Sequence, residues 1–373
     1  MKSEPKPLFF FLIILLIFIV RVFPYRQSFL QRFDAKALEN LYQHSQFSQN
    51  PADRTEIIRD HDLYAYSGWY YLKTGDLRMV NIEHPPLGKY LIGLSILLFH
   101  NQNIMQIPLA ITLLWITYLL AYKILKSPWL AVLVPLALIL ENLFLKQTTQ
   151  SLLDLPQAVV IGLFCYLALA KKNPYLLGIL LGAVSSIKFP ATAIILGLSF
   201  LIHSALTNKR QSIKAGIVVL ITALGFYLLT YTPLFLKQGP AGVASLHIRA
   251  LKIHLSHLPK YPPFVPLKVM FLNQWPVWWD EKNPIHQTEE WNIFWPVLGA
   301  AILLSPLFYW LKYKKSEKKQ HLLFFLFNWL YFIFLNSRLF FPSYLFLILP
   351  YFYLFFIWEI KLLLSEVKKL SVY

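Results

Sequence analysis

The amino-acid sequence predicts an all-α, polytopic transmembrane helix bundle of roughly ten or eleven spans, with two long loops on one side. Three observations predict it. Of the 373 residues, 57% are hydrophobic, where soluble domains hold about 45–50%. The apolar residues gather in blocks of about 15–23, the helical length that matches a hydrocarbon core of roughly 30 Å. Lys and Arg, 35 against 18 acidic residues, fall in short connectors between those blocks, as they do in cytoplasmic loops. The net charge of +17 therefore does not point to nucleic acid, because no basic soluble domain carries it.

The elements follow in order. Lys2 and Lys6 precede an apolar run from Leu8 to Val20. It has the look of a signal peptide, but Arg21 and Pro24 follow where a small-residue cleavage site would stand, so it reads as a retained first span with its N-terminus inside. One crossing then places the polar stretch 25–85 outside. Apolar blocks follow at 85–99, 104–122, 128–145, 152–170, 175–189, 190–206 and 213–236, then a polar stretch at 237–291, then blocks at 292–311, 321–336 and 340–360. Lys123 and Lys126, Lys171 and Lys172, Lys209 and Arg210, Lys312 to Lys319, and Lys368 and Lys369 belong on the cytoplasmic side, with the C-terminus. Asp154, Lys188, the 237–291 loop and Arg338 then lie outside. Residues 86–99 disturb this count. As a helix they reach only about 21 Å, and a full crossing there would put Lys123 and Lys126 outside, so a short or re-entrant helix is expected.

The chain divides into a membrane module, 1–210, with the outside loop 25–85, and a C-terminal set of helices, 211–373, with the outside loop 237–291. In that second loop Ala241 to Leu258 mixes Val243, Leu246, Ile253 and Leu255 with His247, Arg249, Lys252, His254 and His257. This is the pattern of a basic amphipathic helix along the headgroups. Trp275, Trp278 and Trp279 suit an interfacial aromatic belt. The histidines have the spacing of a ligand set, and solvated interfacial histidines are the plainer reading. The single cysteine, Cys165, allows no disulfide within the chain. Gly178 and Gly182 form a small-xxx-small pattern that reads as close packing inside the chain.

Chemistry-bearing residues collect in the first loop: Arg59-Asp60-His61-Asp62-Leu63-Tyr64, and Glu83-His84-Pro85-Pro86-Leu87-Gly88-Lys89. The Pro-Pro pair fixes an extended entry into the next helix. Composition alone also allows a solvated loop that only joins two helices. His84-Pro85-Pro86-Leu87-Gly88-Lys89, however, resembles the signature of the protein O-mannosyltransferases. These are polyprenyl-phosphate-sugar glycosyltransferases of the GT-C fold, a group that includes the lipid A aminoarabinose transferases. Their acidic Asp-Glu-x-x-Tyr motif is matched by Asp60-His61-Asp62-Leu63-Tyr64, with His61 where Glu is usual. Gln150 to Asp154 and Gly182 to Phe189 resemble two further segments of that family, so the likeness covers about the first 210 residues.

The resemblance implies an inverting transfer of a sugar, in that family mannose, from a polyprenyl-phosphate donor to a hydroxyl of a protein, glycan or lipid. The reaction would take place on the extracytoplasmic face of a prokaryotic plasma membrane. A carboxylate within reach of the attacking hydroxyl serves as general base; Asp60 is assigned that role, with Asp62 in reserve. Developing charge on the leaving phosphate calls for a cation; Lys188 is the first candidate, with Lys89, Arg59 and Arg249 as helpers. Glu83, His84, Asp154 and Tyr64 complete the expected site. Asp154, an acid at the edge of an apolar span, is functional by default or caps its helix; Lys188 serves the site or snorkels to the interface. Some relatives bind a divalent metal ion, for which Glu83 and His84 are a poor, adjacent pair; no other cofactor is implied. A lipid-linked-sugar transporter or flippase is the competing class, and the inverted repeats it would need are not evident.

Overall fold

The computed structural model describes residues 7–48, 50–207, 209–256, 264–277, 282–313, 321–337 and 339–370. His257, Trp278, Trp279 and Arg338 therefore lie outside the described residues, as do Lys2, Lys6 and most of the Lys312–Lys319 group.

The apolar blocks are helices. In chain order they are α1 (Pro7–Val22), the short α2 (Gln27–Leu30), α3 (Ala35–Gln43), α4 (Asp60–Thr74), α5 (Leu87–Phe99), α6 (Gln106–Leu125), α7 (Pro128–Leu140), α8 (Asn142–Thr149) and α9 (Asp154–Leu169). Then come α10 (Pro174–Ile187), α11 (Pro190–Thr207), α12 (Lys209–Leu229), α13 (Thr232–Ser256), α14 (Val265–Leu272), α15 (Trp295–Tyr313), α16 (Leu322–Asn336) and α17 (Leu349–Leu370). The one sheet among the described residues is β1 (Trp275–Pro276) against β2 (Ile285–His286). Proline sets several helix starts: Pro128, Pro174 and Pro190 each stand at the first helical position, where a missing N–H costs nothing.

Two helices, α1 with the residues after it and α6, are by themselves long and apolar enough to cross a bilayer. Two further pairs qualify only as bent units: α7 with α8, turned by 68°, and α12 with α13, turned by 100°. The second bend is followed within α13 by another break, where Gly239 at φ 65 takes a conformation other residues resist and Pro240 removes a donor. The remaining apolar helices are shorter.

Side-chain contacts fix which end of the bundle each helix end reaches. Gln106 at the start of α6 donates to the Leu152 carbonyl at 3.0 Å, beside the start of α9. At the other ends of the same two helices, the Lys123 ammonium stands over the Tyr166 ring at 5.5 Å. Lys361 of α17 donates to the Leu125 carbonyl. Lys123, Lys126, Lys171, Lys172 and Lys361 thus share one end, and Asp154 and Lys188 share the other.

The helix that disturbed the count does not carry the chain across. Gly88, at the start of α5, packs on Leu153 and Ile187. After the end of α5, Asn101 donates to the carbonyls of Ser28 and Gln31, just beyond α1. Both ends of α5 therefore lie at the Asp154 end, and its main packing partner is α4. The two helices cross where glycine meets glycine: a Cβ on Gly68 would stand 2.3 Å from the Lys89 carbonyl oxygen, and one on Gly93 2.5 Å from that of Gly68.

The large apolar core draws on both α6, α7 and α9 and the C-terminal α16 and α17, so it runs through residue 210 without a break. A second, smaller core joins the first loop to α12 and α13 through Tyr66, Tyr71, Leu77, Tyr231 and Leu246. A third holds Tyr64, Ile92, Leu153 and Ile187. The expected amphipathic helix is the part of α13 that follows the break at Gly239 and Pro240 and runs to Ser256. One face packs Val243 and Leu246 on the loop core, while Ile248, Leu251 and Leu255 stay exposed. Trp275 differs from the expected belt role: its indole N–H donates to the Phe340 carbonyl at 2.9 Å, which draws it inward. Gly178 and Gly182 face α12 of the same chain.

Candidate active site

The site lies where the three cores meet, at the Asp154 end of the bundle. Helix α10 ends at Lys188 because Pro190 cannot continue it, and the turn delivers the lysine toward the start of α9. There the Lys188 ammonium donates to both Asp154 oxygens, at 2.8 and 2.9 Å, and Gln147 donates to Asp154 Oδ2 at 3.1 Å. Lysine and aspartate are 3% and 2% exposed, so the pair is a buried one. A cation at a helix C-terminus and an anion at a helix N-terminus also suit the two helix dipoles. Asp154 makes no cap hydrogen bond to its own helix, so its carboxylate serves the lysine and not the backbone. Lys188 also stands over the rings of Tyr344, at 5.0 Å, and Phe189, at 5.4 Å.

Asp60 opens α4 and faces this pair. Its side chain is exposed, yet the surrounding protein displaces much of the nearby water. That desolvation raises its carboxyl above the ordinary range; the Lys188 ammonium opposes the rise and the Asp154 carboxylate adds to it. Asp62 differs. His61 Nε2 lies 3.5 Å from Asp62 Oδ2, and burial pushes the His61 imidazole down in spite of that neighbour. Tyr64 is fully enclosed one turn along. Burial first, then the charges of Asp60, Asp154, Tyr344 and Glu83, hold its phenol well above its usual range.

The His84 ring meets Tyr64 at 5.7 Å and Phe189 at 4.9 Å, and His254 of α13 approaches it at 6.4 Å. His254 Nε2 in turn stands 2.9 Å from the Glu83 carbonyl oxygen. Glu83, His84, His247 and His254 supply polar side chains to the lining of a mainly apolar cavity of about 530 Å³. Its walls come from α10, α11, α12 and α13, among them Leu181, Ile194, Leu220 and Leu251.

The structure thus brings together Asp60, Tyr64, Glu83, His84, Asp154 and Lys188, while the one charged partner of Asp62 among the described residues is His61. It does not bring the other expected cations to that place. Lys89 is fully buried and donates to the carbonyls of Asn81 and His84 and to the Tyr71 hydroxyl. It lines neither cavity and instead pins the 81–84 segment. Arg59 is exposed at the N-cap of α4, and Arg249 lines a different cavity. Sequence reasoning missed Lys146, whose charge reaches both Asp60 and His61 and which pairs with Glu290. It also missed Gln147 and Tyr344. These three come from segments with no motif around them, and only the fold shows that they converge. The donor set does not fit a metal: no three His, Cys, Asp or Glu side chains among the described residues converge to hold one.

Comparison of the backbone with solved structures finds the crystal structure of ArnT from Cupriavidus metallidurans bound to undecaprenyl phosphate. It superposes with a TM-score of 0.60 at 13% identity, over 94% of this chain and 59% of that one. The chain has the ArnT-like GT-C fold. The apo form of ArnT aligns with a TM-score of 0.50 at 14% identity, over 80% of this chain and 54% of that one. The chain therefore spans under three-fifths of the length of these neighbours. No family model and no curated protein matches the sequence. The fold likeness is to ArnT, and the mannosyl branch of the sequence resemblance gains no support from it.

Proposed function

We propose that this protein is a membrane glycosyltransferase that moves a sugar from a polyprenyl-phosphate carrier to an acceptor hydroxyl. The observation that carries this reading is the mainly apolar cavity lined by His84, whose ring meets Tyr64, one turn along from Asp60, and Phe189, over which the Asp154-paired Lys188 stands. Its apolar walls suit a polyprenyl chain, and its polar lining suits a phosphate bearing a sugar. The solved ArnT neighbour bound to undecaprenyl phosphate has the same fold.

In the step itself the acceptor oxygen attacks the anomeric carbon while the bond from that carbon to the phosphate oxygen breaks. The polyprenyl phosphate leaves with the electron pair, and the hydroxyl proton passes to Asp60. A raised carboxyl takes that proton more readily than an ordinary one. Lys188 carries three N–H groups and has one left for the leaving oxygen beyond its two contacts to Asp154. Asp154 acts as a positioning residue that holds the ammonium in place. A single displacement inverts the anomeric centre. Placement of the Lys123 and Lys171 end in the cytoplasm puts the site on the extracytoplasmic side of the plasma membrane. Mannose remains one candidate sugar beside aminoarabinose-type donors.

Transfer of labelled sugar from a panel of polyprenyl-phosphate donors, in membranes that hold matched amounts of wild type and Asp60→Asn, tests the proposal. Wild-type transfer that drops by a factor of about 100 or more in the variant is the expected result, the range for loss of a general base. Equal transfer by both would transfer the role to Asp62, and no transfer by wild type from any donor would remove the enzyme reading.

A further inference from the structure

The first loop encloses a second cavity, of about 730 Å³, on the other side of the 81–84 segment. Ile82 and Glu83 line both cavities, so this segment is the wall between them. The second cavity is unlike the first in chemistry. It combines the aromatic rings of Tyr42, Phe47 and Tyr70 with the polar groups of Asn81, Glu83 and Arg249.

One of these polar groups is buried without a partner. Asn81 is 8% exposed, and its Oδ1 accepts no hydrogen bond among the described residues. A buried amide oxygen without a partner is costly, and Asn81 stands in the wall of this cavity, where a ligand that donates would satisfy it. Its position is not accidental slack. Asn81 is held at φ 44, and its own carbonyl is gripped by Lys89 and Tyr71. Arg249 is exposed at the rim of this cavity and has no ion-pair partner among the described residues, so its guanidinium is free to donate to a ligand.

We infer that this cavity binds the carbohydrate portion of the acceptor. A sugar ring presents C–H faces that stack on aromatic rings and hydroxyls that both donate and accept. Those hydroxyls satisfy Asn81 Oδ1 and Glu83 as acceptors and Arg249 as a donor. An extended peptide would instead call for a strand edge or a long groove, and the residues that line this cavity offer neither. A sugar seated here presents its next hydroxyl across Glu83 toward the apolar cavity. The two places are joined through neighbours: the ring of His84, next to Glu83, meets Tyr64 at 5.7 Å, one turn along α4 from Asp60. The inference rests on the glycosyltransferase reading for the word acceptor, and on the cavity alone for the word carbohydrate.

The test uses full-length protein in lipid nanodiscs and saturation-transfer NMR with methyl glycosides of hexoses, N-acetylhexosamines and hexuronic acids. At least one should bind, and Asn81→Gly, which tolerates the positive φ, and Arg249→Ala should each weaken it by about fivefold or more, the size expected for one lost hydrogen bond. Ala193→Trp, which fills the apolar cavity, should leave that binding unchanged. No saturable glycoside with wild type, equal affinity in the two variants, or displacement of the glycoside by a Ser/Thr peptide would each overturn the assignment. Comparison of free oligosaccharides with glycolipids as acceptors then separates a soluble from a lipid-borne source. Glycoside binding without sugar transfer by wild type would sink the transferase reading and leave the carbohydrate site standing; transfer without glycoside binding would do the reverse.

Discussion

At the residue scale the site is governed by where carboxylates meet water. Asp60 is raised because protein replaces water around it, so the fold favours its protonated form. The sign follows. Stability from this group is present at pH below the ordinary carboxylate range and is lost as pH rises through its raised value. Asp60→Asn should therefore unfold at a higher temperature than wild type at neutral pH, with the two curves meeting in acid. Transfer should rise with pH over the same window, since only the ionised form accepts a proton. The Asp154–Lys188 pair responds to amide substitution in the opposite sense. Asp154→Asn leaves a buried ammonium without its counter-charge, a loss of about 3–5 kcal/mol, measurable as a lowered unfolding midpoint in detergent. Replacement of both residues, Asp154→Leu with Lys188→Met, should recover much of that stability and still show no transfer. Transfer that survived in the double variant would deny Lys188 its role at the leaving phosphate.

At the element scale the α4–α5 crossing sets the site. Gly68 and Gly93 let the two backbones touch, and that contact places Asp60 at one end of α4 and the Lys89-pinned segment beside it. Gly68→Ala has no room, because its Cβ would meet backbone and not the end of a flexible side chain. We expect either alanine to lower the unfolding midpoint strongly, by the overpacking cost of about 1–3 kcal/mol or more. The double variant should cost less than the sum, because both changes push the same two helices apart. Additive effects would mean that the two glycines do not share one contact. Helix α13 shows the complementary device: a turn of 100° after α12 and the break at Gly239 let one chain segment leave the bundle, cover both cavities and keep an apolar face outward.

At the scale of the whole molecule, the basic end and the acidic site end are opposite ends of one bundle. The cytoplasm is assigned to the Lys-rich end by charge, which is open to direct test. Cys165 is buried and is the single cysteine, so introduced cysteines can be read one at a time in Cys165→Ser. Asp53→Cys in intact cells should react with a membrane-impermeant maleimide, and Lys172→Cys should react only after the membrane is opened. The reverse pattern would invert the orientation and move the site to the cytoplasm.

The sequence by itself determined the helical bundle, because apolar blocks of span length admit no other backbone that satisfies its own hydrogen bonds in lipid. It also marked Asp154, since an acid at the edge of an apolar span is costly enough to stand out, whereas Asp60, Glu83 and His84 stood out only through the resemblance of their segments to family motifs. It raised the conflict over residues 86–99 and favoured a short or re-entrant helix there, from its length and from Lys123 and Lys126, although a short apolar helix by itself reads alike whether it crosses or lies on the surface. Contacts far apart in the chain decided that: Asn101 reaches back to Ser28, and Gln106 reaches on to Leu152. The same holds for the lysines. Lys89 and Lys188 are each a basic residue at the end of an apolar helix, yet one is enclosed by carbonyl oxygens and the other meets a carboxylate. Which partner a buried charge finds is a matter of three-dimensional neighbours, and only the tertiary structure supplies them.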